Sequence, residues 1–380
     1  MTQTLFALDA AHEGIREAAR ALALEVAPFA NEADEATEVH GPTADALRRS
    51  GLAAYVVPRA FGGHDETLDP LTLAIIREQL MGVSAHLDSL FGMQGVGSYA
   101  LSVGGSDELR REWLPKVARA EAIPSIALTE PEIGSDLRGI TTTIEQDGDV
   151  LRLNGRKAFI TNAGAADFTC VLAKEGDGYS MALVPTDTPG LTVTSGPDLI
   201  APHIIGELQF DDVVVPAGNR LGEPGKAFTL MLQTLAVFRV SVAGSAVGLA
   251  QAALDEAVAH ATTREQFGKP LMSLGSVSQS LALSWAETEA ARALTYRAAA
   301  LAASDPLAHI ADTSMAKVIA TETAGRVVDR AVQAMGRFGL VRGSVIERLY
   351  RNARPVRIYE GSTEVLLDSL ARQLAKRMSS

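Results

Sequence analysis

Leu151-Arg152-Leu153-Asn154-Gly155-Arg156-Lys157-Ala158-Phe159-Ile160-Thr161 carries two short β-rich runs on either side of an Asn-Gly pair. Asn and Gly both tolerate φ > 0, so the pair predicts a hairpin turn between Val150–Asn154 and Lys157–Thr161. Runs of the same kind surround it: Ser125–Thr129, Phe168–Ala173, Tyr179–Val184, Leu191–Thr194 and Glu207–Val215, with Asp147-Gly148 and Asp177-Gly178 as further turns. No long helical pattern intervenes, so a mainly antiparallel sheet or small barrel is expected over 121–225 rather than a doubly wound parallel sheet.

On both sides the periodicity is helical. Ile15, Ala18, Leu22, Val26 and Phe29 recur at steps of three or four and predict one apolar helix face. Thr43–Ser50, with Gly51 as its stop, Leu71–Leu80 and Asp107–Ala118 continue the pattern and make residues 1–120 a helical domain. From 226 to 380 the segments are longer: Phe228–Thr263, Val277–Ala303, Pro306–Met335 and Val345–Asn352, then a last helix from about Ser362 to Lys376. Long helices with short connections predict an antiparallel four-helix bundle. The expected fold class is α+β in three parts: helices, antiparallel sheet, helices.

The 380 residues carry 34 Lys+Arg against 46 Asp+Glu, a net charge of −12, which argues against a nucleic-acid or anionic-membrane binder. Hydrophobic residues at 47% and charged ones at 21% are those of an ordinary folded protein. The single cysteine, Cys170, has no internal partner, as expected in a reducing compartment. Residues 1–14 show no basic stretch leading into an apolar run, and the charge-free Val240–Leu254 is shorter than the ~20 residues of a membrane span. A cytoplasmic location is expected. Gly244 and Gly248, four residues apart, predict close helix approach within a soluble bundle.

Generic signatures fail. Gly95-Val96-Gly97-Ser98-Tyr99-Ala100 matches the dinucleotide pattern, but helical sequence precedes it where a strand is required, so its glycines read as packing or loop positions. The seven histidines stand singly, without metal-ligand spacing, and no metal site is expected.

Three segments remain. Ala127 to Asp136 leaves the first strand with small residues and hydroxyls that could bring main-chain N–H groups to a phosphate or flat ring; a plain Pro/Gly turn explains it as well. Arg264-Glu265-Gln266-Phe267-Gly268-Lys269-Pro270 closes a long helix with ordinary stop signals, yet sets an arginine beside an aromatic. Arg337 to Arg357 holds six arginines against Glu347, a local +5 suited to phosphate or carboxylate, or to surface ion pairs. It leads into Ile358-Tyr359-Glu360-Gly361-Ser362-Thr363-Glu364, where Ser362 or Thr363 can cap the last helix and Glu360 lies just outside it.

The set resembles the acyl-CoA dehydrogenase family over nearly the whole chain. The matching pieces are Thr129-Glu130-Pro131 with Gly134-Ser135-Asp136; Gly155 to Lys157 with Phe159-Ile160-Thr161-Asn162; and Phe210-Asp211-Asp212-Val213 with Val215-Pro216. They continue with Arg264 and Gln266 to Pro270, Glu347-Arg348 with Arg351 to Arg354, and Ile358-Tyr359-Glu360-Gly361, in the family's order and spacing.

The resemblance implies an FAD enzyme of fatty acid metabolism that oxidises an acyl-CoA thioester to the trans-2-enoyl thioester. Glu360 falls at the position of the base that removes the α-proton while the β-hydrogen leaves as hydride to the flavin. Such a base needs an apolar pocket to raise its pKa. Some members take the base from the residue before a bundle arginine; here Phe238 precedes Arg239, so that alternative is absent. Cofactor contacts are implied for Leu128, Thr129, Ser135, Phe159, Thr161, Ser362 and Glu364, and, from a neighbouring subunit, for Arg264, Phe267, Gln279, Gln333 and Gly336. Ser135, Arg239, Tyr359 and Gly361 are implied at the substrate. The implied partners are a homodimer or homotetramer mate and an electron-transferring flavoprotein. A carrier-protein thioester as substrate, or a non-catalytic helical binding protein of the same fold, are the alternatives.

Three stretches depart from the family pattern. Glu132-Ile133 stands for a usual Gly-Ala, Gly336-Arg337 for a double glycine, and Leu199 to His203 for a Gly-aromatic-Arg stretch.

Overall fold

The computed structural model describes residues 8–379. Part of the stretch read for an export signal, residues 1–7, lies outside them. The described residues pack as two compact units, one from residues 8–34, 70–88 and 236–379, the other from 35–69 and 89–235.

The helices before the sheet are α1 (Ala10–Val26), α2 (Ala30–Asp34), α3 (Gly41–Ser50), α4 (Pro70–Met81), α5 (Ala85–Gly104) and α6 (Asp107–Ala118). Asp9 caps α1 by accepting from the His12 N–H, and Gly51 ends α3 at φ 68°. The buried face of α1 is Ile15, Ala19, Leu22, Ala23 and Val26. Ala18, expected on that face, is exposed: the row Ile15–Ala19–Leu22–Val26 keeps the closer 3.6-residue period.

The sheet unit contains β1 (Pro124–Ala127), β2 (Thr143–Asp147), β3 (Val150–Thr161), β4 (Phe168–Glu175), β5 (Gly178–Pro185), β6 (Leu191–Ser195), β7 (Ile205–Pro216) and β8 (Arg220–Leu221). The order is β6-β7-β3-β2-β4-β5-β8, mostly antiparallel, with β1 parallel to β4. The expected hairpin at Asn154-Gly155 does not form; β3 runs unbroken through it. The hairpin that does form joins β2 to β3 and turns at Gly148-Asp149, where Gly148 takes φ 59° and Asp147 pairs with Val150. Asn154 instead accepts the Asp212 N–H on β7 at 2.8 Å. Gly155, at φ 142°, passes so close to Thr142 that a Cβ would lie 2.6 Å from its Cα. The pair therefore marks a β-bulge, where an extra β7 residue, Asp212 at φ 49°, is absorbed. A second bulge, between Lys157 and Ile160, puts the extra residue on β3. Leu151 and Leu153 point into the core before it, Ala158 and Ile160 after it, so Phe159 turns outward. The turn after β4 is Gly176-Asp177, one residue earlier than expected.

Gly97 lies inside α5, and a Cβ there would stand 2.8 Å from the carbonyl carbon of Pro124, so the pseudo-dinucleotide motif is a helix–strand contact.

The remaining helices are α7 (Ala227–Thr263), α8 (Gly275–Ala302), α9 (Ile310–Met335), α10 (Val345–Asn352) and α11 (Thr363–Ser379). α9 begins at Ile310, not Pro306, because Asp305 draws the Leu307 and Ala308 N–H groups into a turn. α7 is long and apolar enough to cross a membrane, and 83% of its most apolar stretch is buried inside the protein, as in a core helix. Cβ atoms on Gly244 and Gly248 would lie 2.8 Å from the Ala74 Cα and 2.9 Å from the Glu78 Cα, so the glycine pair lets α4 and α7 touch backbone to backbone. That approach carries Arg77 of α4 to Ser241 of α7.

Candidate active site

The chain between Pro355 and α11 turns sharply through two residues of positive φ, Glu360 at 58° and Gly361 at 101°. A left-handed glutamate costs about 1–2 kcal/mol, so surrounding contacts must hold it. Arg239 of α7 donates from Nε to the main-chain oxygen of Glu360 at 2.9 Å, and from Nη1 to Ser314 Oγ at 3.2 Å. Lys317 of α9 donates from Nζ to the main-chain oxygen of Gly361 at 2.7 Å. Glu322, one turn further along α9, accepts Arg357 before the turn at 2.9 Å and the Thr363 hydroxyl after it at 2.7 Å. The expected cap by Thr363 is thus replaced by this tie, and Glu364 stands exposed in the first turn of α11, where an acid suits the helix dipole. Ser362 is half-buried, and its main-chain oxygen accepts the Leu366 N–H at 3.0 Å.

The Glu360 carboxylate is held differently from its backbone. Its Oε2 is buried and has no hydrogen-bond partner among the described residues. Burial pushes its pKa up, against the pull of Arg239, Arg77 and Lys317. Arg77 itself is locked by Asp88, at 2.9 Å and 2.6 Å, and donates to Ser241 Oγ at 3.0 Å. Ser245 Oγ closes the cluster on Asp88 at 3.0 Å. The carboxylate is therefore ionisable and buried on one oxygen, with cations near it but bonded elsewhere. Tyr359 beside it keeps 38% of its surface exposed.

Three of the six arginines from 337 to 357 are spent internally: Arg348 on Asp34 at 3.0 Å, Arg351 on Glu347 at 2.7 Å and Arg357 on Glu322 at 2.8 Å. Asp34 and Glu322 lie outside the run, so these two acids offset part of its local +5, while Glu347 is already counted in it.

In the sheet unit, Leu128, Thr129, Phe159 and Thr161 come together where β1 and β3 end. The Ala158 N–H reaches Thr129 O at 3.0 Å, and Ser125 Oγ donates to Thr161 O at 2.8 Å. The brace is a buried pair: Lys157 Nζ lies 2.9 Å from Leu128 O and 3.0 Å from Glu130 Oε1. Burial pulls Lys157 down to about 8, with Glu130 opposing. Burial works against ionised Glu130 as well, yet hydrogen bonds from Thr142 and Thr141 hold it at about 2. Phe159 stands 53% exposed at φ 57°, and Thr161 Oγ1 lies 3.2 Å from His203 Nε2, in the departing Leu199–His203 stretch. Ser135 is exposed on the loop that follows Glu130.

In the helical unit, the Arg264 and Arg337 guanidiniums lie 5.6 Å and 5.2 Å from the Phe338 ring. Neither has a carboxylate partner among the described residues. Phe267 is 90% exposed at the tip of a tight hairpin, and Gly336 takes φ 59°, ψ −132°, a backbone open only to glycine. Gln333 is exposed on the rim of a 240 Å³ cavity with Leu340 and Tyr350. Gln279 is exposed on α8 and makes no hydrogen bond to the others among the described residues.

Sequence reasoning missed Arg77, Asp88, Lys317, Glu322 and the pairing of Lys157 with Glu130. The available signal was a charge inside an apolar helical stripe, as with Lys317 among Thr313, Ala316, Ala320 and Ala324.

Comparisons with known proteins agree on one family. Family models for the N-terminal, middle and C-terminal domains of acyl-CoA dehydrogenase match residues 9–121, 125–213 and 225–375. Cyclohex-1-ene-1-carbonyl-CoA dehydrogenase of Geobacter metallireducens is 37% identical over 349 residues, 90% of this chain and 91% of its own. The solved butyryl-CoA dehydrogenase of Megasphaera elsdenii superposes with a TM-score of 0.92 at 31% identity, covering 97% and 99% of the two chains. A glutaryl-CoA dehydrogenase of Mycobacterium smegmatis, solved in complex with FADH2, superposes at 0.90 with 26% identity, covering 97% and 95%.

Proposed function

Since the chain belongs to the acyl-CoA dehydrogenase family, we propose that it removes the α-proton of an acyl-CoA thioester with Glu360 and yields the trans-2-enoyl-CoA. It is an FAD-dependent oxidoreductase. The observation that carries the base assignment is the unpartnered, buried Oε2 of Glu360, set in a turn whose cations bind main-chain oxygens instead.

The donor set suits the cofactor. In the sheet unit, an outward aromatic (Phe159) with the Thr129 and Thr161 hydroxyls suits a flat ring; in the helical unit, Arg264 with Arg337 suits a diphosphate, one bound by the neighbouring subunit. Arg337, at a family glycine, adds a cation to that set. Bound FAD supplies the hydride acceptor for the substrate β-carbon. The residues of this chain do the rest. Raised basicity lets Glu360 take a weakly acidic α-proton near neutral pH. The rigid turn aims Oε2, and the Glu360 N–H is the protein's donor to the thioester oxygen as negative charge develops there. Tyr359 packs beside the thioester.

Electrons then leave to an electron-transferring flavoprotein. A homodimer or homotetramer is part of the same reading, favoured by the exposure of Phe267, Leu340 and Val341 on the helical unit; a cytoplasmic location is the expectation from the single cysteine, Cys170. The test is spectroscopic. Purified protein should show bound flavin, and an anaerobic panel of straight, branched and cyclic acyl-CoAs should include one that bleaches it. Protein without flavin, or flavin that no acyl-CoA bleaches, would sink the proposal.

A further inference from the structure

Lys317 has no exposed surface, yet no carboxylate among the described residues lies within ion-pairing distance of it. Burying an ammonium costs several kcal/mol unless something in the fold requires it. A methionine would fill the same volume without that cost. What the ammonium adds is a donor to Gly361 O at 2.7 Å and a positive charge beneath Glu360. Arg239 does the same one residue earlier, at Glu360 O. Successive carbonyls of a left-handed pair are thus held by cations from two different helices, the buried Lys317 of α9 and the half-buried Arg239 of α7, while Glu360 Oε2 receives no donor among the described residues.

The arrangement separates two effects that a direct ion pair would merge. A hydrogen bond from Lys317 to the carboxylate would occupy its lone pairs and make it a weaker base. A cation bonded to the neighbouring carbonyl offsets part of the burial cost of ionised Glu360 and leaves the lone pairs for the substrate. We infer that Lys317 is a positioning residue for the reaction, pinning the Glu360–Gly361 turn and setting the protonation of Glu360 without touching its carboxylate.

This rests on Glu360 being the base. The charged groups that face Glu360 are Arg239 of α7, Arg77 of α4 and Lys317 of α9; Lys317 also faces Glu322 on its own helix and Glu364 of α11. Burial lowers Lys317 to about 8, so its charge is present at neutral pH and fades on the alkaline side.

The experiment uses FAD-loaded wild type, Lys317→Met, Lys317→Gln and Glu360→Gln, mixed anaerobically with the acyl-CoA that bleaches wild type fastest. Lys317→Met should bind that acyl-CoA nearly as tightly as wild type, while its limiting rate of flavin reduction falls about tenfold or more. The acid limb of its rate profile should move to higher pH, because ionised Glu360 has lost a favourable cation. Lys317→Gln restores a donor without charge, so it should regain rate while keeping the displaced limb. If Lys317→Met does not retain flavin, the limb of Lys317→Gln decides alone. A wild-type rate and limb in these variants, with Glu360→Gln inert, would overturn the role of Lys317 only. Bleaching by Glu360→Gln would instead remove the base assignment, and this inference with it.

Discussion

Arg239 donates to the main-chain oxygen of Glu360 at 2.9 Å, and no donor among the described residues reaches Oε2 of the same residue. The site is thus built to hold the backbone of its acid firmly and to leave one carboxylate oxygen unbonded.

Burial raises the pKa of Glu360 in the folded protein above its unfolded value. The folded state then binds the proton more tightly, so stability falls as pH rises from the unfolded toward the folded pKa. Glu360→Gln removes that loss. Its melting temperature should exceed that of wild type at neutral pH, and the gap should close toward acid pH. A gap that is constant with pH would show that ionised Glu360 costs the fold nothing.

Asp88 neutralises Arg77, whose side chain is almost fully buried. Asp88→Asn leaves a buried guanidinium without its counter-charge and should cost about 3–5 kcal/mol in denaturant unfolding. Replacing both partners, with Arg77→Met and Asp88→Leu, should recover much of that loss. Equal losses in the single and double variants would mean that packing, not charge, sets the cost.

Gly248 lets α7 lie against Glu78. Gly248→Ala must push α4 away and should destabilise by about 1–3 kcal/mol, measured by thermal unfolding. An unchanged melting temperature would mean that the helices separate without cost.

Much of this was legible in the sequence. The helix–sheet–helix order, the exact run of α6 and α10, and the glycine spacing of α7 follow from periodicity, since each residue there answers to its near neighbours. Asn154-Gly155 shows where that reading ends. Locally the pair asks for a turn, but Val150–Thr161 pairs with β7 on one side and β2 on the other, and long-range pairing prevails. The site divides the same way. Glu360 and Tyr359 were visible in a motif, whereas the partners that hold Glu360, namely Arg239, Lys317 and Glu322, come from helices 38 to 121 residues away in the chain, and for Lys317 and Glu322 no local pattern links them to it. The basic run from Arg337 to Arg357 reads both as a phosphate site and as ion pairs for the same reason, because Asp34 and Glu322 are distant in sequence from the arginines they neutralise.

Lys157 fixes the Leu128 carbonyl and neutralises Glu130. Lys157→Met should loosen the Leu128–Thr129 end of β1 and release flavin, read as a lower FAD-to-protein ratio after gel filtration and a faster cofactor loss on dilution. Glu130 keeps its Thr141 and Thr142 donors, so the variant should still fold. Full cofactor retention would exclude this pair from the flavin site.

A single turnover shows whether Glu360 is the proton acceptor. Flavin-loaded Glu360→Gln and wild type are mixed anaerobically with the same acyl-CoA, and flavin absorbance is followed in a single turnover. Wild type should bleach, while Glu360→Gln should bind the thioester and stay oxidised, slower by about 100-fold to 10,000-fold. Bleaching of Glu360→Gln at the wild-type rate would mean that another group takes the α-proton.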